Sequence, residues 1–314
     1  MATLRAIKDR ITSIQNTQKI TRAMKMVAAA KVKKAENQTK ASRPFASELY
    51  KIISALLANF EGEFKPLEHA KPIENYPELL KTREIDTVGL VVISSNKGLA
   101  GAYSSNIVRY TLKRIKEAKE AGKKVKLYLV GQKAFAPLKT ASKNIDFEIV
   151  EVYTKILDGV SATKGLILAE DIVRASIEGT IDTIELITTR YKNMMTYKVE
   201  SWDILPLTGD DAKLKKFRDE DKEQNKTLHA LVQFEPNVET ILKKLMPMYF
   251  TNIIYQAMLE ATASELASRM TAMSAAVNNA TEMIQILTVD YNKARQAKIT
   301  QELTEIISGV NALK

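Results

Sequence analysis

No cysteine occurs among the 314 residues, and the only histidines are His69 and His229. The first absence excludes disulfides, thiolate metal sites and thiol switches. The second excludes a histidine-rich metal centre. No run of 18 apolar residues is present, and the basic residues near the start are interleaved with apolar periodicity instead of leading into a signal-peptide core. A soluble, intracellular protein is expected, and because the periodic pattern begins at Leu4, no presequence is expected ahead of it. The signatures HExxH, GxSxG and the EF-hand loop are missing, and no carboxylate pair has an evident reason to be perturbed. Catalysis by this chain alone is therefore not expected. Helix breakers are scarce near the end: Pro247 is the last of the eight prolines, and Gly309 is the only glycine beyond it.

That scarcity frames a heptad run. Leu266, Met270, Met273, Val277, Ala280, Ile284, Leu287, Tyr291 and Ala294 follow one another in alternating steps of four and three, and Leu303, Ile306 and Val310 resume the stripe. Such spacing predicts a coiled-coil seam. A continuous helix of about 60 residues, at roughly 1.5 Å per residue, would reach about 90 Å and needs a second long helix to cover its seam. The partner lies at the other end of the chain. Leu4, Ile7, Ile11, Ile14, Gln18, Thr21, Lys25 and Ala28 take successive seam positions in a helix expected over residues 3–59, with a kink or interruption near Arg43 because Pro44 sits inside the pattern.

Between the helices the character changes. Residues 60–84 hold Gly62, Pro66, Pro72 and Pro77 and read as a linker. Residues 88–94, 125–130, 147–152 and 183–189 read as strands, with helical spacing after the first, a short helical stretch broken by Pro137 after the second and a helix over 160–178. Strand and helix in this alternation predict a small, mostly parallel sheet with helices on its faces. Two further extended segments are expected at 194–199 and 202–207, a charged exposed loop at 209–226 and one more strand at 228–234, with Pro236 near the start of the last long helix. The fold class is thus α/β with a long antiparallel coiled coil, divided as 1–59 amino-terminal helix, 60–84 linker, 85–235 central Rossmann-like domain and 236–314 carboxy-terminal helix.

Charge is unevenly placed. The first forty residues carry ten basic side chains against Asp9 and Glu36, a net of +8, within a whole-chain charge of +10. From residue 248 onward five basic face six acidic residues, so pairing between the helices does not absorb the excess. An anionic partner is implied. The glycine-containing turn Ser94-Ser95-Asn96-Lys97-Gly98-Leu99-Ala100-Gly101 lacks both the Walker A spacing and the three-glycine dinucleotide fingerprint, and reads as a structural or protein-contact loop. Two readings remain from the residues: a nucleic-acid-binding coiled-coil scaffold using the basic helix as a phosphate track, or a mechanical protein using the helix pair as a shaft. The regularity of the helices favours the shaft.

Three segments carry a resemblance. NTQKITRAMKMVAAAKVK at 16–33, SNKGLAGAYSSN at 95–106 and the run at 268–309, which contains YNKARQAKITQELTEI, closely resemble the gamma subunit of F-type ATP synthases. The resemblance implies a central-stalk rotor, noncatalytic in itself, present in one copy per complex. Its partners would be alpha and beta subunits in a three-plus-three head, the epsilon subunit and the membrane ring of c subunits, with no nucleic acid. No cofactor is expected on this chain, and nucleotide and magnesium are expected in the partner alpha and beta subunits. The location implied is peripheral on the cytoplasmic side of a bacterial cell membrane, with a thylakoid membrane as the other setting open to it.

By the same resemblance Arg10, Lys19, Arg22, Met24, Lys25 and Lys31 are candidate contacts to alpha and beta on the first helix, and Arg269, Gln301, Thr304 and Glu305 on the last. Ile306, Ile307, Val310, Ala312 and Leu313 form the candidate shaft tip. Many family members carry a cysteine in the central turn where Ala100 stands, and plastid members carry a regulatory dithiol before the last helix. The loop at 209–226 has no cysteine, so thiol control is excluded.

Overall fold

Strands that are apolar on both faces have only one stable home, a sheet covered on both sides. The computed structural model describes residues 4–58, 67, 70–80, 84–206 and 237–312. They fall into two compact units, Lys31–Ser268 and the pair of segments Met1–Ala30 and Arg269–Lys314. Strands β1 (Thr87–Ile93), β2 (Lys124–Val130), β3 (Glu148–Tyr153), β4 (Thr183–Asn193) and β5 (Thr196–Leu205) form one sheet in the order β3-β2-β1-β4-β5. β1 pairs in parallel with β2 and β4, and β2 in parallel with β3, whereas β5 runs antiparallel to β4. Helices α3 (Tyr103–Glu120), α4 (Phe135–Ala141) and α5 (Ala162–Ile177) make the crossovers.

Alternate side chains of the central strands feed two cores. Val88, Leu90, Val92, Leu127 and Leu129 pack with Tyr103, Ile107 and Ile115 of α3 and Leu138 of α4. Val91, Ile93, Tyr128, Val130 and Leu186 pack with Leu168 and Ile172 of α5. The same second core takes in Ile73, Tyr76 and Leu79, the last two from the short helix α2 (Tyr76–Leu80). It also takes in Leu49, Ile53 and Leu56 of α1 (Leu4–Ala58), and Leu242, Met246, Phe250 and Ile254 of α6 (Val238–Ala312). Gly165 lets α5 approach α6 closely, since a Cβ there would lie 3.2 Å from Thr251 O. α6 begins at a built cap, with Thr240 N donating to Asn237 Oδ1 at 2.8 Å.

Three expectations are corrected. The interruption expected near Arg43 is absent, because α1 runs unbroken through Pro44; α6 likewise runs through Pro247, within the long helix the sequence led one to expect. A proline removes one backbone bond and costs about 3 kcal/mol; buried residues on both sides, Ala35 and Thr39 before Pro44 and Leu49 and Ile53 after it, hold the helix together through tertiary packing. Pro137 does not break α4, because it falls in the first turn, where a missing N–H leaves no bond unmade. The two extended segments after residue 193 are one strand, β5, folded back on β4 by a turn in which Asn193 Oδ1 accepts from the N–H of Met195 and of Thr196, both at 2.9 Å. The loop expected at 209–226, the strand at 228–234 and Pro236 lie outside the described residues.

Candidate functional site

In the unit Met1–Ala30 and Arg269–Lys314, α1 and α6 pack antiparallel. Gln18 Nε2 donates to Thr281 Oγ1 at 2.7 Å, and Lys25 Nζ donates to Ser274 Oγ at 3.0 Å, so seven residues forward on one helix match seven back on the other. Met273 and Val277 are buried; beyond them, among the described residues, only Ala280, Ile284, Leu287, Tyr291 and Ala294 escape full exposure, each half-buried. Leu266 and Met270 are half-buried as well. On α1 the matching half-buried set is Leu4, Ile7, Ile11, Ile14, Gln18 and Thr21, with Ala28 buried. The seam is therefore apolar at its outer end and polar where Gln18 and Lys25 cross it.

The stripe expected to resume at Leu303 and Ile306 does not become a seam. The register places Leu4 opposite the turn of Ala294 and Arg295, so α1 offers no residues to cover α6 beyond that turn. Ile299 and Leu303 stand exposed, and Ile306 and Ile307 are 63% and 60% exposed. The Val310 side chain and all of Leu313 lie outside the described residues.

The remaining candidate residues divide by surroundings. Arg10, Lys19, Arg22 and Lys31 are exposed, and among the described residues none lies within 4.0 Å of a carboxylate. Met24 is half-buried, and Lys25 is turned into the seam by its bond to Ser274. Arg269 is half-buried. Gln301, Thr304 and Glu305 are exposed; Gln301 Nε2 donates to Glu305 Oε1 at 2.9 Å and Thr304 Oγ1 to Thr300 O at 2.8 Å. Sequence reasoning passed over a further set. Ile20 and Val27 are 63% and 55% exposed and seven residues apart, with Met26 beside them and Ile286 on the other helix also exposed. The heptad spacing of Ile20 and Val27 was a visible signal, outside the seam register.

The glycine-containing turn is spent on holding the unit Lys31–Ser268 together. Ser95 Oγ lies 2.9 Å from Ser104 Oγ, Asn96 Oδ1 accepts from Gln132 N at 3.2 Å, and Ala100 O accepts from Ser268 Oγ of α6 at 2.7 Å. Gly131, at φ 103°, passes so close beneath the turn that a Cβ would sit 2.9 Å from Ser95 N. A shallow depression on this unit, about 590 Å³, is lined by Arg109, Lys113, Tyr197 and Lys198 among others and presents no carboxylate. Among the described residues no cluster of three or more histidine, aspartate or glutamate side chains could hold a metal ion, and no helix is long and apolar enough to cross a membrane.

The described outer face of this helix pair thus bears cations and apolar residues, over a seam closed by apolar contact and by the Gln18–Thr281 and Lys25–Ser274 bonds. The family model described as ATP synthase matches residues 3–313. The chain is 38% identical over 330 residues to the ATP synthase gamma chain of Synechococcus sp. (strain JA-3-3Ab), with both chains covered in full. The chain belongs to the ATP synthase gamma-chain family. A second gamma chain, from Moorella thermoacetica, is 38% identical over 314 residues, again with full coverage of both. A chain in the Tetrahymena thermophila mitochondrial ATP synthase central stalk and c-ring structure matches at 26% identity and TM-score 0.54, covering 82% of this chain and 99% of that one. A chain of the Euglena gracilis mitochondrial ATP synthase structure shares the fold at TM-score 0.64 and 19% identity, covering 99% and 94%. Membership makes this chain the noncatalytic rotor subunit of an ATP synthase, and the nucleic-acid scaffold reading is set aside.

Proposed function

We propose that the helix pair is a shaft turning inside a head of three alpha and three beta subunits, one copy per complex, with its foot on the epsilon subunit and the membrane c ring. Rotation of the ring is coupled to the conformational cycle of the catalytic beta subunits, which hold nucleotide and magnesium. The division of labour runs along the chain: the terminal helices over 1–59 and 236–314 carry the shaft, and their inner parts also pack into the core of the α/β body whose sheet comes from 85–235, a core joined by Ile73, Tyr76 and Leu79 from the 60–84 stretch. The complex sits on the cytoplasmic side of a bacterial cell membrane or on a thylakoid membrane.

The observation that carries this reading is the outer face of the shaft, where Arg10, Lys19 and Arg22 have no counter-charge within 4.0 Å among the described residues and Ile20 and Val27 stand largely exposed. A shaft drives another subunit only if its contacts differ in energy between that subunit's conformations. Moving a two-state equilibrium from 1:99 to 99:1 takes about 5.5 kcal/mol. A few partly desolvated ion pairs, supplemented by apolar contact, reach that scale. Arg10, Lys19, Arg22, Lys31 and Met24 on α1 and Arg269, Gln301, Thr304 and Glu305 on α6 are the proposed contacts, with Lys25 acting from the edge of the seam. Ile306, Ile307, Val310 and Leu313 form the low-friction tip.

Reconstitution with alpha and beta tests the reading. An ATPase assembly whose activity and rotation require this chain supports it; alpha-beta assemblies that cycle identically without binding the chain sink it. R269A/Q301A is expected to lower coupled ATP synthesis more than it lowers helicity by circular dichroism. Equal losses would mean that the two residues only support the fold.

A further inference from the structure

Within the unit Lys31–Ser268, one stripe of α6 is fastened to the carboxyl-terminal end of the sheet by a ladder of polar contacts. Thr188 Oγ1 of β4 donates to Ala257 O at 3.2 Å, and Tyr191 N of β4 donates to Glu260 Oε2 at 3.0 Å. Tyr103 Oη donates to Ala261 O at 3.0 Å, and Ser268 Oγ donates to Ala100 O at 2.7 Å. Residues 257, 260, 261 and 268 recur at helical spacing and so share one face. Much of the packing beside this ladder is alanine: Ala257, Ala261, Ala263 and Ala267 are all buried. Alanines raise shallow ridges, and shallow ridges resist sliding or rolling of one element over another poorly. Directional bonds must supply that resistance.

Glu260 is the charged member of the ladder and is 1% exposed. Its other oxygen, Oε1, accepts from Arg43 Nη2 of α1 at 3.2 Å. Arg190, next to Tyr191 on β4, also attracts this carboxylate. Arg190 is itself held by Glu200 at 2.7 Å and lies over the Trp202 ring at 5.8 Å. One carboxylate thus joins α1, β4 and α6. A buried ion pair is a poor way to gain stability, because apolar side chains of similar volume serve as well or better. What a hydrogen-bonded pair adds over them is a single angular setting.

We propose that Glu260 is the positioning residue that keys α1 and α6 to the α/β body, so that torque passes between body and helices without slip. The proposal rests on the rotor reading above. Alanine packing lets the helices lie close to the sheet, and the Glu260 bonds to Arg43 and Tyr191 set the angle at which they lie.

The test is ATP-driven rotation of this chain assembled with alpha and beta subunits, with a bead fixed to the α/β body. R43M/E260M replaces the pair with two apolar side chains that keep the space filled. The expected result is a wild-type melting temperature and unloaded rotation rate, a wider angular spread at each dwell and a loss of stall torque. A wild-type spread and stall torque in the assembled variant overturn the proposal. If R43M/E260M does not assemble, T188V removes another rung and is read in the same way, with a wild-type spread overturning the ladder. Failure of the unaltered chain to rotate at all would instead strike the rotor reading itself.

Discussion

Replacing Arg10, Lys19 and Arg22 together by glutamine separates a charge that holds the fold from a charge that serves a partner. None of the three has a carboxylate within 4.0 Å among the described residues, and all are exposed. Their removal therefore changes the stability of the free chain by no more than about 0.5 kcal/mol, the range for surface substitutions away from special features. Lys19 and Arg22 are three apart on one helix, so their mutual repulsion is relieved, which offsets part of any loss. At an interface the sum differs. Exposed ion pairs contribute roughly 0.2–1 kcal/mol each, so three amount to about 0.6–3 kcal/mol, a weakening of roughly threefold to a hundredfold in association with the alpha-beta head. Association rate and affinity measured across a salt series provide the assay. The wild-type chain is expected to lose affinity with added salt more steeply than the triple variant, because screening acts on the pairs that the variant lacks. Equal affinity and equal salt dependence would refute the reasoning, as would a large fall in the stability of the free chain.

Two other predictions test the packing. Met273 is 6% exposed in the seam, whereas Ile286 is 58% exposed on the same helix. M273A is expected to cost about 2 kcal/mol, the low end for truncating a buried methionine because a two-helix seam can partly close; Ile286→Ala is expected to cost little in the free chain. Hydrogen exchange of the shaft amides reads the difference as roughly thirtyfold faster exchange in M273A alone. For Glu260, burial pushes the carboxyl above its ordinary range, against the pull of Arg43 and Arg190. As pH rises from about 4.3, the ordinary glutamate value, the unfolded chain gives up its proton first. The contribution of this group to stability then falls until pH passes the folded-state value. E260Q lacks the step, so the stability of wild type relative to E260Q decreases with rising pH across that window. Thermal unfolding at a series of pH values would show a growing difference if the attraction of the arginines outweighed burial.

The periodic parts were legible because one-dimensional spacing dictates them. Steps of three and four from Leu266 to Ala294 and from Leu4 to Ala28 already specify two helices with facing apolar stripes, and the alternation of apolar runs with helical spacing between residues 88 and 189 already specifies a mostly parallel sheet. Pro44 misled, because a local rule about one missing hydrogen bond says nothing of the packing on either side. Leu303 and Ile306 misled in the opposite direction. Their spacing is right for a seam, but whether a partner reaches them depends on the register between chain ends that lie far apart in sequence.

What the sequence determined by itself, then, is the kind of each element, the absence of thiol chemistry and of a histidine-rich metal centre, and the family, since all of these reside in local pattern or residue identity. Tertiary structure alone decided the register that ends the seam at Ala294 and the turning of Lys25 inward to Ser274. It also decided the meeting of Arg43, Tyr191 and Glu260 on one carboxylate. The physical reason is the same in each case: a hydrogen bond or an apolar contact is made across a few ångströms of space, and no periodicity along the chain records which distant residue will stand there.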